Sequence, residues 1–220
     1  MTCCCSGFCS ASDRQFSARV AARDVDRYRR HGPPPTTRLL RDGLRDAGAA
    51  SGTLLDIGCG MGALTFELLA LGLERAVAVD ASEAYIAAGR KEAQRRGCAG
   101  RVDWQHRDFA GSASEFQPAT VVTLDRAVCC YPAFEPLLAE AVRRAERWFA
   151  MSYPRDRWYV RAVVALENAP RYLARNPFRT FVHPAAAMER LIRSAGFQLL
   201  SRRTTLAWSA DIYAKSPPSA

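Results

Sequence analysis

Lysine is nearly missing from this 220-residue chain. Lys91 and Lys215 are the only two, so almost all of the formal charge of +9 rests on arginines spread along the sequence. A nucleic-acid surface leaves a denser basic footprint, and an arginine bias this diffuse reads first as base composition, so a nucleic-acid partner is disfavoured. A small anionic molecule is the more specific use of the charge. Also missing is any apolar run near the ~20 residues that cross a bilayer, so no membrane span is expected. The start, Met1-Thr-Cys-Cys-Cys-Ser-Gly-Phe-Cys-Ser, lacks the basic patch and apolar stretch of a secretory leader, which makes the chain cytoplasmic by expectation.

Zinc-type spacings are absent too. The eight cysteines include the cluster Cys3-Cys4-Cys5 with Cys9, but no C-x-x-C or paired histidines follow, so no metal site is expected. In a reducing compartment the thiols stay free, and the cluster reads as a disordered tail in preference to a segment folded over the pocket with the first helix or a soft-metal site. Internal repeats and low-complexity linkers are likewise lacking. With 49% apolar and 24% charged residues, the composition is that of an ordinary globular protein long enough for one α/β domain.

Periodicity supplies the architecture. Phe16, Val20, Ala21, Val25 and Tyr28 recur at helical spacing from Asp13 to Arg30, and Gly32-Pro33-Pro34-Pro35 ends that helix. A second helix opens at Thr36 or Thr37 as cap and runs toward Gly48. Short apolar strands then alternate with helices: strand 53–57, helix 63–70, strand 75–79, helix 82–96, strands 102–105 and 120–124, helix 134–147, strand 148–152. Such alternation implies crossover connections and about five parallel strands with both faces covered. A polar helical stretch from Arg155 to about Arg175 and a helix over 184–195 follow, and two last runs, 197–202 and 206–214, suit antiparallel pairing. Residues 1–50 are read as a tail and helices belonging to the same domain, 51–215 as its catalytic part, and 216–220 as a flexible tail.

The chemistry begins at Leu54-Leu55-Asp56-Ile57-Gly58-Cys59-Gly60-Met61-Gly62, a strand running into an acid and glycines spaced by single residues. Glycines permit backbone conformations and a close approach that a Cβ would block, and the helix starting near Ala63 offers unpaired amides. A dinucleotide loop would space its glycines G-x-G-x-x-G, whereas Ala63 stands at the last of those positions and Asp56 would repel phosphates. The next strand ends in Asp80-Ala81-Ser82, and the third is followed by Asp108-Phe109. These three strand-end acids, with their glycine loop, resemble the motifs of class I S-adenosylmethionine-dependent methyltransferases over about residues 54–214. The resemblance implies a doubly wound, mostly parallel seven-stranded sheet with an antiparallel C-terminal pair. It also implies S-adenosylmethionine as cofactor, held by the loop of Gly58, Cys59, Gly60 and Gly62 with Asp56 near the sulfonium charge, Asp80 at the ribose hydroxyls, Asp108 and Phe109 at the adenine, and Ala81, Ser82 and Leu124 among the other cofactor-binding residues, although Ser82 can equally cap the following helix.

The acceptor side is less marked. The fourth strand leads into Asp125-Arg126-Ala127-Val128-Cys129-Cys130-Tyr131-Pro132, without the Asn/Asp-Pro-Pro-Tyr/Phe signature of enzymes that methylate nucleobase amines. A charged pair at the end of an apolar strand sits at the ligand crevice of such sheets, so Asp125 and Arg126 are candidate catalytic groups. Tyr131 and His183 join them, His183 as a base or as the start of a helix. Cys129 and Cys130 read as buried residues in preference to nucleophiles. The Tyr131-Pro132 pair and the late His183 are loosely similar to magnesium-protoporphyrin O-methyltransferases. Arginines and aromatics between Tyr153 and Phe181 suit a small, anionic or aromatic methyl acceptor; an RNA methyltransferase and a non-catalytic cofactor-binding protein are the alternatives.

Overall fold

Neighbouring residues of a strand face opposite sides of a sheet, and here both sides are apolar. The computed structural model describes residues 7–215. In β1 (Thr53–Ile57), Leu54 packs into one core and Leu55 into a second, and the same alternation holds for Val121 and Val122 in β4 (Ala119–Asp125). Strands buried on both faces need helices on both, and that is what surrounds them.

The seven strands lie in the order β3-β2-β1-β4-β5-β7-β6, where β2 is Arg75–Asp80, β3 Val102–His106, β5 Ala145–Pro154, β6 Phe197–Thr204 and β7 Trp208–Lys215. β1 to β5 pair in parallel, while β7 inserts between β5 and β6 and runs antiparallel to both. The mostly parallel seven-stranded sheet with its antiparallel C-terminal pair agrees with the resemblance. Reversal of order on either side of β1 and β4 makes their carboxyl ends the switch point where ligands bind in such sheets.

Before β1 come three helices: α1 (Gly7–Gln15), α2 (Ala18–His31) and α3 (Pro35–Asp46). The single helix expected over 13–30 is broken at Phe16 and Ser17. Phe16 turns inward there, its ring 5.4 Å from Tyr85 and 5.2 Å from Phe178. Thr36 and Thr37 are buried and cap nothing: Pro34 is the N-cap residue of α3, and Pro35 opens the helix with its fixed φ. Between the strands lie α4 (Ala63–Leu71), α5 (Glu83–Arg95), α6 (Phe109–Ser112), α7 (Phe134–Arg143), α8 (Trp158–Leu173) and α9 (Ala185–Ser194). α7 stops four residues short of the expected Arg147 because the chain has already entered β5 at Ala145. Among the described residues no helix is long and apolar enough to cross a membrane. The Cys3-Cys4-Cys5 cluster and the expected flexible tail at 216–220 lie outside the described residues.

α2 is joined to α5 through a carboxylate that gathers three arginines. Glu92 on α5 is buried, and its oxygens accept from Arg29 of α2 at 2.8 Å, from Arg95 at 2.9 Å and from Arg96 at 2.8 Å. Hydrogen bonds from Arg95, then from Arg29 and Arg96, hold the Glu92 carboxyl down at about 2. Because this value lies below the ordinary 4.5, the contribution to stability is complete above pH 4.5 and disappears as pH falls toward 2. Glu92→Gln is expected to cost about 1–2 kcal/mol at pH 7, since guanidinium groups 31–50% exposed are partly screened. Urea unfolding of both proteins should show the gap narrowing from pH 5 to pH 2.5; a gap constant with pH would detach this network from the fold's acid sensitivity.

Candidate active site

A buried carboxylate must be given donors, and Asp56 has two. Its side chain, 1% exposed, accepts from the Thr65 hydroxyl of α4 at 2.6 Å and from the Thr123 hydroxyl of β4 at 2.7 Å. Burial nevertheless pushes its pKa up to about 6, the two hydroxyls opposing. Asp56 thus fastens β1 to its neighbours beneath the loop.

Three glycines of the loop are needed for three different reasons. A Cβ on Gly58 would lie 2.5 Å from the Cβ of Ala127, so the close approach of the next strand's loop requires it. At Gly62, φ is +86° and a Cβ would lie 2.4 Å from the Trp104 ring, so packing against β3 requires that one. Gly60, at φ +56°, has nothing within 4 Å of a built Cβ, and its bare backbone faces open cavity. Gly62 therefore belongs to the core contact with Trp104 and does not line the cavity.

At the end of β2, Asp80 receives the Gly60 amide on one oxygen and the Ser82 amide on the other, each at 2.8 Å. Burial raises its pKa to about 6, against those two amide bonds. Ala81 lines the cavity beside it. Ser82 does not; its oxygen accepts from the Tyr85 amide to cap α5 and its hydroxyl donates to the Phe16 carbonyl at 2.9 Å. The position after β3 is divided similarly. Phe109 lines the cavity, its ring 5.3 Å from that of Phe116, whereas Asp108 lies off the lining, capping α6 and accepting the Tyr131 hydroxyl at 2.6 Å. Leu124 is fully buried in the core away from the cavity.

Past β4 the cavity meets Asp125, Arg126 and Tyr131. Asp125 accepts from Ser152 at 2.6 Å and from Thr37 of α3 at 2.5 Å, so the residue expected to cap a helix instead reaches across to the switch point. Arg126 adopts φ +58°, a left-handed conformation rare for a side-chain-bearing residue, with its amide on Ser152 Oγ at 2.9 Å. Burial is the largest cause holding the Tyr131 hydroxyl neutral. Both vicinal thiols direct Sγ to the Arg126 carbonyl, and the bond to Cys129 together with burial pushes the Cys130 pKa well up, away from nucleophilic use. His183 is set apart. It is buried off the cavity lining, with Nε2 2.9 Å from the Tyr131 carbonyl and its ring between Phe134 and Phe181; burial lowers its pKa. Pro184, not His183, occupies the N-cap position of α9. The expected base is a packing residue that braces Tyr131.

Asp56, Gly58, Gly60, Asp80, Phe109, Asp125, Arg126 and Tyr131 border a cavity of about 820 Å³ at the carboxyl ends of β1, β2 and β4. Its roof is what sequence reasoning missed: α1 and α2, the 32–35 turn, and the start of α3. On the outer side Glu167 and Arg171 of α8 line it, with Phe178 and Thr180 from the connection to α9. Roof and outer wall touch through the Phe16–Phe178 ring contact and the Asn176 amide on Gln15 at 3.3 Å. A second recess, of about 440 Å³, lies at the amino ends of the strands and is lined by Phe116.

Residues 54–150 match a family described as a methyltransferase domain. That domain runs from β1 into β5 and so contains the glycine loop, Asp80, Asp108 and Asp125, while the roof helices, α8 and α9 fall outside it. Among curated proteins, ribosomal protein L11 methyltransferase of Edwardsiella ictaluri is 39% identical over 72 residues, which are 33% of this chain and 25% of that protein. The chain thus spans about a quarter of the length of the curated relatives it matches. Among solved structures, SAH-bound magnesium protoporphyrin IX methyltransferase of Synechocystis PCC 6803 superposes with a TM-score of 0.70 at 16% identity, over 94% of this chain and 99% of that one. An O-methyltransferase family protein of Burkholderia thailandensis gives 0.69 at 16%, over 94% and 64%. At such identities the likeness is one of fold.

The loop geometry separates two substitutions that look alike. Gly62→Ala should lose about 2 kcal/mol or more of stability, because both its φ and the Trp104 ring oppose a Cβ. Gly60→Ala should lose only about 1 kcal/mol, the cost of a left-handed alanine, since the space is open. Thermal melts of the two variants test this; equal losses would mean that Trp104 yields to the new methyl.

Proposed function

We propose that this chain is an S-adenosylmethionine-dependent methyltransferase acting on an oxygen or nitrogen of a small anionic or aromatic acceptor. The observation that carries the reading is Gly60: bare backbone over open space, its amide donated to Asp80, inside a methyltransferase domain. A volume of about 820 Å³ suits a nucleoside-sized donor with a ring-sized acceptor beside it. Bound there, S-adenosylmethionine supplies a sulfonium methyl for in-line displacement.

The chain's own residues divide the work. Each Asp80 oxygen takes one amide and keeps a lone pair, so the carboxylate can also accept the two ribose hydroxyls. Phe109 and Tyr131 wall the adenine end, and Asp108 positions Tyr131 by accepting its hydroxyl. Asp56, Asp80 and Asp125 lie on the floor, a negative field that favours a cation above it. Both Asp125 oxygens accept hydroxyls, so it serves as a fixed charge, and Arg126 orients the acceptor. A carboxylate acceptor is ionised at neutral pH, and alignment of its oxygen with the methyl needs no base. The contact between roof and outer wall favours an acceptor small enough to enter beneath it, whatever the L11 relatives' name says of theirs.

Calorimetric titration with S-adenosylhomocysteine tests the reading at its root: absence of binding would sink it. Because only ionised Asp80 accepts both hydroxyls and its pKa lies at about 6, affinity should hold above pH 7 and fall toward tenfold per unit below 6. Asp80→Asn should bind more than about tenfold more weakly at pH 7.5, with the step abolished. A step retained in that variant would assign the titration to Asp56.

A further inference from the structure

The cavity is electrically divided, and its two halves are not equally satisfied. On the floor every acid already holds donors: Asp56 two hydroxyls, Asp80 two amides, Asp125 two hydroxyls. The roof is cationic. Arg23, Arg27 and His31 recur every fourth residue on α2, which places them on one helix face, and all three line the cavity. Arg38, in the first turn of α3, joins them across the Gly32–Pro34 turn.

These basic side chains have little to hold. Elsewhere on the same helices, Arg29 is bound to Glu92 and Arg41 to Glu67. Arg23 lies 3.7 Å from Asp24, whose other oxygen takes the Tyr85 hydroxyl at 2.6 Å. Among the described residues, no carboxylate pairs with Arg27, His31 or Arg38. The outer wall brings both Glu167 and Arg171, with Arg171 occupied by Asn168 and Thr180, so the uncompensated charge is concentrated on the roof. Exposed guanidinium groups on the rim of one recess bind carboxylates through paired, parallel hydrogen bonds, and an anion lowers their mutual repulsion.

We infer that the α2–α3 roof is a carboxylate-binding subsite for the methyl acceptor, with Arg27 and Arg38 as its principal ligands and Arg23 and His31 extending it. The inference rests on the methyltransferase reading and deepens it. A donor cation drawn to the acidic floor and an acceptor anion drawn to the roof are held at opposite sides of one cavity. The atom to be methylated lies between them, on the part of the acceptor away from the anchored carboxylate. Specificity for an acceptor with a second anionic group follows, because one anion is anchored while another atom reacts.

The test titrates citrate, a probe with several carboxylates, onto the protein with and without saturating S-adenosylhomocysteine. Three proteins are compared: wild type, Arg27→Gln/Arg38→Gln, and a control of equal charge loss, Arg143→Gln/Arg190→Gln on α7 and α9. Wild type and control should bind citrate alike in the presence of S-adenosylhomocysteine, and the roof variant about tenfold or more weakly, with its S-adenosylhomocysteine affinity within about twofold of wild type. Thermal melts establish that the roof variant is folded. Citrate binding that is absent from wild type, unchanged in the roof variant, or equally lost in the control overturns the subsite. Loss of S-adenosylhomocysteine affinity in the roof variant overturns it too, by giving these arginines to the donor's own carboxylate. Failure of wild type to bind S-adenosylhomocysteine, with roof-dependent citrate binding intact, sinks the methyltransferase reading and leaves an anion site.

Discussion

Everything in the crevice depends on a carboxylate that water does not reach. Asp56 joins β1 to β4 through Thr123 and to α4 through Thr65. A buried carboxylate without donors would be costly enough to protonate or to open the structure, so the three residues form one unit. Their joint effect is to hold the turn out of β1 at one height, so that the Gly60 amide falls on Asp80 and the helix after Gly62 starts against Trp104. The link from sequence to site is therefore a hydrogen-bonded core contact.

The same economy shapes the acceptor side. Asp125 terminates β4 at the switch point, and Thr37 reaches it from α3, 88 positions away in sequence. That bond fastens the roof to the sheet, and the Glu92 cluster and the Phe16 ring against Tyr85 fasten it to α5. A roof so attached can bear unpaired cations, because the cost of gathering like charges is carried by contacts made elsewhere on the same helices. Backbone strain at Arg126 belongs to this arrangement, since the Ser152 hydroxyl that receives its amide also donates to Asp125.

Legibility in the sequence follows the range of the interactions. The parallel strands, their helices and the glycine loop were readable because period and turn chemistry are local, and Asp56, Asp80, Phe109 and Asp125 were found as strand-end residues. The side-chain roles were less readable. Thr37 looks like a helix cap to any local rule and is a partner of Asp125; His183 looks like a base and is wedged between Phe134 and Phe181. Gly62 looks like a ligand glycine and answers to Trp104, 42 positions later. The roof had one faint local signal, the spacing of Arg23, Arg27 and His31 on a helix ending at a proline-rich turn. Nothing local said which way that face would point.

The matched domain and the roof also stand in a reasoned relation to chemistry. Methyl transfer from a sulfonium asks one thing of every enzyme that performs it, a crevice for the donor, and asks nothing in common of the acceptor side. Similarity should then concentrate where the donor lies, and the domain match does end in β5, before α8 and after the roof helices have been passed over. Residues outside that span are free to answer to the acceptor alone. In this chain they supply Arg27, Arg38, Arg171 and Thr37, three cations and a hydroxyl directed at one cavity. On the methyltransferase reading proposed above, the segments outside the matched span are where specificity for the acceptor would be built.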